Sequence, residues 1–146
     1  CVMHMQGEPD TMQTGPTYSH VVQDIAEFLG HRLADVSAAG IDLDRVIIDP
    51  GFGFGKTAEQ NFELLARLEV LCNQSQPVLV GLSRKSMISS VLDRLPEQRM
   101  VASVALALMA VERGARIVRV HDVAATFDAL SMWQTTRHAL SQSQPI

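Results

Sequence analysis

The sequence predicts an α/β fold built on a parallel sheet, and three observations carry that prediction. Short apolar runs recur at four places: Cys1-Val2-Met3, Val46-Ile47-Ile48, Val78-Leu79-Val80 and Ile117-Val118-Arg119-Val120. Such runs between turn signals suit strands buried on both faces. A helix-like segment follows each run, so the order is β-α-β-α-β-αα-β-α, which gives parallel strands joined by right-handed crossovers. Polar groups then sit at the C-terminal end of every strand: His4, Asp49, Ser83-Arg84-Lys85-Ser86, and Arg119 with His121 and Asp122. An open doubly wound sheet collects such groups only at its switch point, whereas a barrel gathers them all on one face. Four units in 146 residues is also about half of a ~250-residue barrel. The expected fold is the C-terminal half of a TIM (β/α)8 barrel, strands five to eight with their helices.

The first helix is read from Val21, Ile25, Phe28, Leu29, Leu33 and Val36 at helical spacing, and it ends at Ala39-Gly40, a glycine stop signal. The second carries Phe62, Leu65, Leu68 and Cys72 and stops before Pro77. A short helix around Lys85 to Arg94 meets a break at Pro96; an alanine-rich helix follows from about Glu97 to Arg113, ended by Gly114. The last runs from about Val123 to Leu140, with Phe127, Leu130 and Trp133 on one side. No linker or low-complexity segment divides the chain. A strand-like run at residue 1 with no initiator Met suggests a longer chain cut upstream.

Composition narrows the function. The chain is 47% hydrophobic and 19% charged, ordinary for a soluble globular domain. Its net charge of −4 offers no basic footprint for nucleic acid or an anionic membrane. The longest apolar stretch, Val101 to Val111, is too short to span a bilayer. Cys1 and Cys72 form no motif and read as reduced thiols of a cytoplasmic protein. The five histidines lack a usable metal-ligand spacing.

The segment VIIDPGFGFGKTAEQ, residues 46–60, looks like a phosphate loop and is not one. A G-x-x-x-x-G-K-[ST] loop ending at Gly55 needs glycine at position 50, where Pro50 has no N–H to give. Gly51, Gly53 and Gly55 are evenly spaced, so the dinucleotide pattern fails as well. What remains is a carboxylate, Asp49, at the end of a buried strand, followed by a loop whose glycines let the backbone approach a ligand. Asp49 is either a loop anchor or a hook for the N–H groups of a flat heterocycle. Phe52 and Phe54 either fold back on the core or wall an aromatic substrate. Ser86 and its neighbouring N–H groups stand at a helix start, a place that favours anions, with Lys85 as a positive donor; the alternative is a solvated basic turn. Arg119 interrupts an apolar strand and must find an anion or a stacking partner. With His121 two residues on, it suggests an anion site, unless it pairs with Asp49 or Asp122 for structural reasons.

Four stretches, MHMQGEPDTMQ at 3–13, DPGFGFGKT at 49–57, LVGLSRKSMI at 79–88 and RIVRVHDV at 116–123, resemble in order and spacing the motifs of the dihydropteroate synthase family. The resemblance covers the whole chain but only the C-terminal half of the family's barrel. It implies one partial pterin-binding (β/α)8 barrel domain over residues 1–146, the N-terminal half being absent. The implied reaction joins 6-hydroxymethyl-7,8-dihydropterin pyrophosphate to para-aminobenzoate, with loss of pyrophosphate, in folate biosynthesis. It further implies that Asp49, Lys85 and Arg119 carry the chemistry and bind pterin together with Met3 and Gly53. Phe52, Phe54 and Ser86 would take para-aminobenzoate; Arg119 and His121 would hold pyrophosphate. Mg²⁺ is implied with a ligand in a loop outside this chain, as are a homodimer and a role as sulfonamide target. A related pterin-binding methyltransferase domain, presenting methyltetrahydrofolate, is the alternative, and a half-barrel without catalysis is a third. RMVASVALA at 99–107 departs from the family pattern, which often has Gly before Ser, with no consequence visible in sequence.

Overall fold

The computed structural model describes residues 1–8, 10–12 and 15–142, and side chains as far as 140. Pro9 and Gln13 of the first motif lie outside them. Four strands, β1 (Val2–Met3), β2 (Ile48–Asp49), β3 (Leu79–Val80) and β4 (Ile117–Val118), form at the four apolar runs. Val2 pairs with Ile48 and Met3 with Asp49; Ile48 bridges to Val78; Leu79 pairs with Ile117 and Val80 with Val118, all in parallel. The strands therefore stand side by side in chain order. A doubly wound sheet reverses direction at a switch point; this one advances by one neighbour at each crossover, as a (β/α)8 barrel does over four of its units.

Between the strands lie α1 (Val21–Ala38), α2 (Ala58–Ala66), α3 (Glu69–Cys72) and α4 (Met100–Glu112), and α5 (Val123–Gln142) follows β4. In α1, Val21, Val22, Ile25, Leu29 and Leu33 are buried, a stripe at i, i+4, i+8 and i+12. The Asp24 carboxylate accepts the amides of Ser19 and His20 ahead of the helix. Gly40, at φ +81°, closes its C-terminus. Thr57 starts α2 with a reciprocal cap: its hydroxyl accepts the Gln60 amide at 3.2 Å while the Gln60 side chain accepts the Thr57 amide at 2.8 Å.

Two helical expectations need correction. The second helix is broken at Arg67, whose φ is −116°, so α2 and α3 are separate. After β3 the chain forms only 3₁₀ turns, at Ser86–Ser90 and Pro96–Gln98, where one α-helix from Lys85 to Arg94 was expected. Val91, Leu92 and Leu95 are exposed there, so no buried stripe repays further winding. On α5, Leu130 and Trp133 are half-buried, but Phe127 is exposed.

Strand alternation divides the side chains between two faces. Ile48, Val78 and Val80 are buried in the core, with Val2 and Val118 packed against it. Met3 and Ile47 on the opposite face are half-buried and Ile117 is exposed. That second face, the barrel's inner side, also carries Asp49 and Arg119.

Candidate active site

The C-terminal ends of β2, β3 and β4 build the site. Asp49 ends β2 and is 1% exposed. Its Oδ1 accepts the Gly51 amide at 2.8 Å, and its Oδ2 faces Arg119 Nη2 at 3.3 Å. Asp49 thus anchors the loop and presents an oxygen toward the inner face. Arg119 lies just past β4 with a largely exposed side chain, so its guanidinium caps the carboxylate and a ligand reaching Asp49 must displace it or lie against it. Gly81 makes that position possible: a Cβ there would come 3.0 Å from Arg119 Nη2. Met3 is the register partner of Asp49 across β1 and β2.

Lys85 enters from the loop after β3. Its Nζ lies 4.2 Å from the centre of the Phe54 ring, close enough for a cation–π contact. Its stem runs over Gly53, where a Cβ would come within 3.0 Å of Lys85 Cδ. Burial, with help from the charge of Arg119, lowers the Lys85 pKa, and Asp49 opposes the shift. His121 Nδ1 lies 2.9 Å from Ser83 Oγ, which also accepts the His121 amide. Phe54, Gly81, Ser83, Lys85, Arg119, Val120 and His121 line a cleft of about 330 Å³.

Most of the expected site residues therefore converge, with two exceptions. Phe52 is 1% exposed and belongs to the core; a ring with no free surface cannot wall a substrate, and of the two rings only Phe54 reaches the cleft. Ser86 is exposed one residue beyond Lys85, at the start of a five-residue 3₁₀ turn rather than an α-helix, and does not line the cleft. Asp122 is not a partner of Arg119; it holds Arg84 through two bonds, of 2.7 and 3.2 Å.

Sequence reasoning missed the groups that shape the loop around Lys85. Arg84 has φ +58°, a conformation that costs a non-glycine residue ~1–3 kcal/mol and must be held. Ser103 Oγ accepts the Arg84 amide at 2.8 Å, and Arg99 donates to the carbonyl oxygens of Arg84 and Lys85. Arg99 also bonds the Ser89 hydroxyl. The segment 99–107, without visible consequence in sequence, thus braces the Lys85 loop. A larger cleft, of about 460 Å³, is lined by Cys72, Arg113, Arg116 and Trp133 among others. It lies at the N-terminal end of β4, the face that in such barrels serves stability rather than chemistry.

Lys56 is also buried, at 3% exposure. Burial lowers its pKa to about 7, with Lys85 adding to the shift and Asp49 opposing it. The His4 pKa falls to about 4, through burial and then the charge of Lys56. Between about 7 and 10.5 the unfolded chain holds a Lys56 proton that the folded chain has shed, so stability should rise with pH there. Burial raises Cys72 from 9.0 to about 11, an opposing effect that begins at the lower value. Unfolding free energies of the completed barrel from urea titrations at pH ~7 to ~9 should therefore increase, by up to ~1.4 kcal/mol per pH unit, and Lys56→Met should flatten the rise. Equal slopes in the two proteins would contradict the burial argument.

A buried carboxylate, two cations, a histidine and one aromatic ring gathered at the C-terminal ends of adjacent parallel strands define an α/β-barrel protein with its polar groups on one face. The chain belongs to the pterin binding enzyme family, whose model matches residues 1–121. It is 53% identical to dihydropteroate synthase of Haemophilus influenzae over 139 residues, covering 95% of this chain and 50% of that protein. The crystal structure of Yersinia pestis dihydropteroate synthase with a sulfonamide drug complex superposes at TM-score 0.92 and 46% identity, over 95% of this chain and 51% of that one. The Burkholderia cenocepacia enzyme complexed with 7,8-dihydropteroate gives 0.89 and 51%, over 96% and 53%. The chain spans about half the length of the curated relatives it matches. These likenesses confirm a partial TIM barrel and favour the synthase over the methyltransferase domain.

Proposed function

We propose that this chain is the half of a dihydropteroate synthase that carries the pterin hook, the aminobenzoate wall and the pyrophosphate cations. The single observation behind the reading is the Asp49–Arg119 pair set beside Lys85 and Phe54 at the ends of three adjacent strands. Asp49 accepts the ring N–H groups of the pterin, Lys85 donates to the ring, and Arg119 lies on its face. Met3 and Gly53 border the same ligand. Phe54 walls para-aminobenzoate, whose carboxylate points out of the cleft toward the exposed Ser86. As the carbon–oxygen bond breaks, Arg119 and His121 take the charge that gathers on pyrophosphate, and the aniline nitrogen adds to the exocyclic methylene cation. Electrostatic stabilisation of separating charges carries the rate, without a covalent enzyme intermediate.

Mg²⁺ belongs to the proposal as a charge partner for pyrophosphate. Among the described residues no three His, Cys, Asp or Glu side chains gather, and the nearest carboxylate, Asp49, is taken by Gly51 and Arg119. The donor set here does not fit the ion alone. A homodimer is supported by the apolar residues Val101 and Met109 of α4 and Phe127 and Met132 of α5, all exposed. A cytoplasmic location accords with the free thiols of Cys1 and Cys72; no described helix is long and apolar enough to cross a membrane.

The test is calorimetric titration of the completed barrel, this chain joined to the remaining four β/α units. Para-aminobenzoate is expected to bind only when pyrophosphate is present, because the anion fixes Arg119 in the cleft that Phe54 walls. Binding that ignores pyrophosphate, or no binding at all, would overturn the reading.

A further inference from the structure

The lysine that made residues 46–60 look like a phosphate loop has no part in the function above. Its Nζ is 2.8 Å from the Gly51 oxygen, 3.0 Å from the Phe54 oxygen and 3.1 Å from His4 Nδ1. An amine with three internal partners is not offered to a phosphate. Thr57, the other half of the resemblance, is spent on capping α2.

These contacts enclose one segment. Gly51, Gly53 and Gly55 all have positive φ, so the loop turns repeatedly and has no strand or helix ladder of its own. The Gly51 oxygen also accepts the Phe54 amide at 3.1 Å. Lys56 thus grips both ends of the turn that carries Phe54. Asn61, 2% exposed, takes the Gly53 amide at 2.8 Å and returns its own amide to Thr57. The Tyr18 hydroxyl donates to the Gly55 oxygen at 2.7 Å. Phe54 is the one member of the loop that reaches the cleft. A buried amine is costly; one aliphatic residue would fill the space but take the amine donor from the Phe54 oxygen and leave the Gly51 oxygen only the Phe54 amide.

We propose that Lys56 is a positioning residue: from behind the glycine loop it fixes Phe54, and so sets the pocket for the second substrate without touching either substrate. The inference rests on Phe54 being the aminobenzoate wall. His4 ties the amine to the end of β1, so the loop after β2 takes its place from the neighbouring strand.

Steady-state kinetics of the completed barrel with Lys56→Met, Phe54→Ala and the double variant test this. Each single variant should raise KM for para-aminobenzoate by ~10-fold or more and leave KM for pterin pyrophosphate within ~2-fold, and the double should be no more than ~2-fold worse than Phe54→Ala. Lys56→Gln, which returns one donor, should recover part of the loss, and it is judged by the same criteria if Lys56→Met does not fold. An unchanged aminobenzoate KM, equal losses on both substrates, or multiplied effects in the double would overturn the proposal. If the wild type makes no product, the functional reading fails instead. Amide exchange then decides: that of Phe54 should quicken by ~10-fold or more in Lys56→Met while α1 is unaffected, and unchanged exchange sinks the inference.

Discussion

Asp49→Asn in the completed barrel is expected to weaken pterin binding by more than ~10-fold, since charge-assisted bonds are worth about 1.5–3 kcal/mol. One carboxylate oxygen is committed to the Gly51 amide at 2.8 Å, leaving the other for Arg119 and the ligand. An asparagine keeps one acceptor, and Gly51 claims it. The amide nitrogen would then point a donor at the Arg119 guanidinium and at the ring N–H groups. The reverse flip satisfies the ligand side and sets donor against donor at Gly51, so neither orientation restores the hook. Titration with an unreactive pterin checks this, with the melting temperature recorded beside it. Unchanged affinity would remove Asp49 from the site and leave it only its structural bond to Gly51.

What the sequence revealed and what it hid divide along local and long-range lines. The strands were legible because apolar runs bounded by turn signals have few other uses. Strand ends were legible as a site because polar residues broke those runs at Asp49 and Arg119. The choice of barrel over open sheet came from the same ends, and the sequential strand order agrees. Phe52 and Phe54 looked alike, each between glycines, yet one is core and one lines the cleft. Alternation orders side chains only along a strand; through three positive-φ glycines it has no meaning. Lys56 was invisible as a clamp because one of its partners, His4, lies 52 residues away. Ser103 and Arg99 were hidden in the same way, their contacts with Arg84 crossing from α4 to the loop after β3. Helix interruption at Arg67 had no signal at all, since no Gly or Pro marks it.

Residues 1–146 alone should be catalytically silent and prone to associate. In the four-strand order both β1 and β4 are edges, and unpaired edges recruit other strands. The inner face is the second weakness. Leu79 is already buried and Val118 packs toward the helices, but Met3 and Ile47 are only half-covered and Ile117 is 38% exposed. A closed barrel fills that space with layers from strands all around it; four strands leave the layers unfinished. The apolar positions on α4 and α5 add to the uncovered surface. Chemistry suffers for a related reason. Arg119 has water on much of its surface, and a cation so exposed stabilises developing charge far less than one in a dry site. Sedimentation should therefore find oligomers, or a chain that needs the other four units to become compact, and turnover should follow co-expression with them. A monomeric chain of 146 residues that melts cooperatively and makes dihydropteroate unaided would show that four units suffice, and that the inner face tolerates water where a barrel keeps side chains.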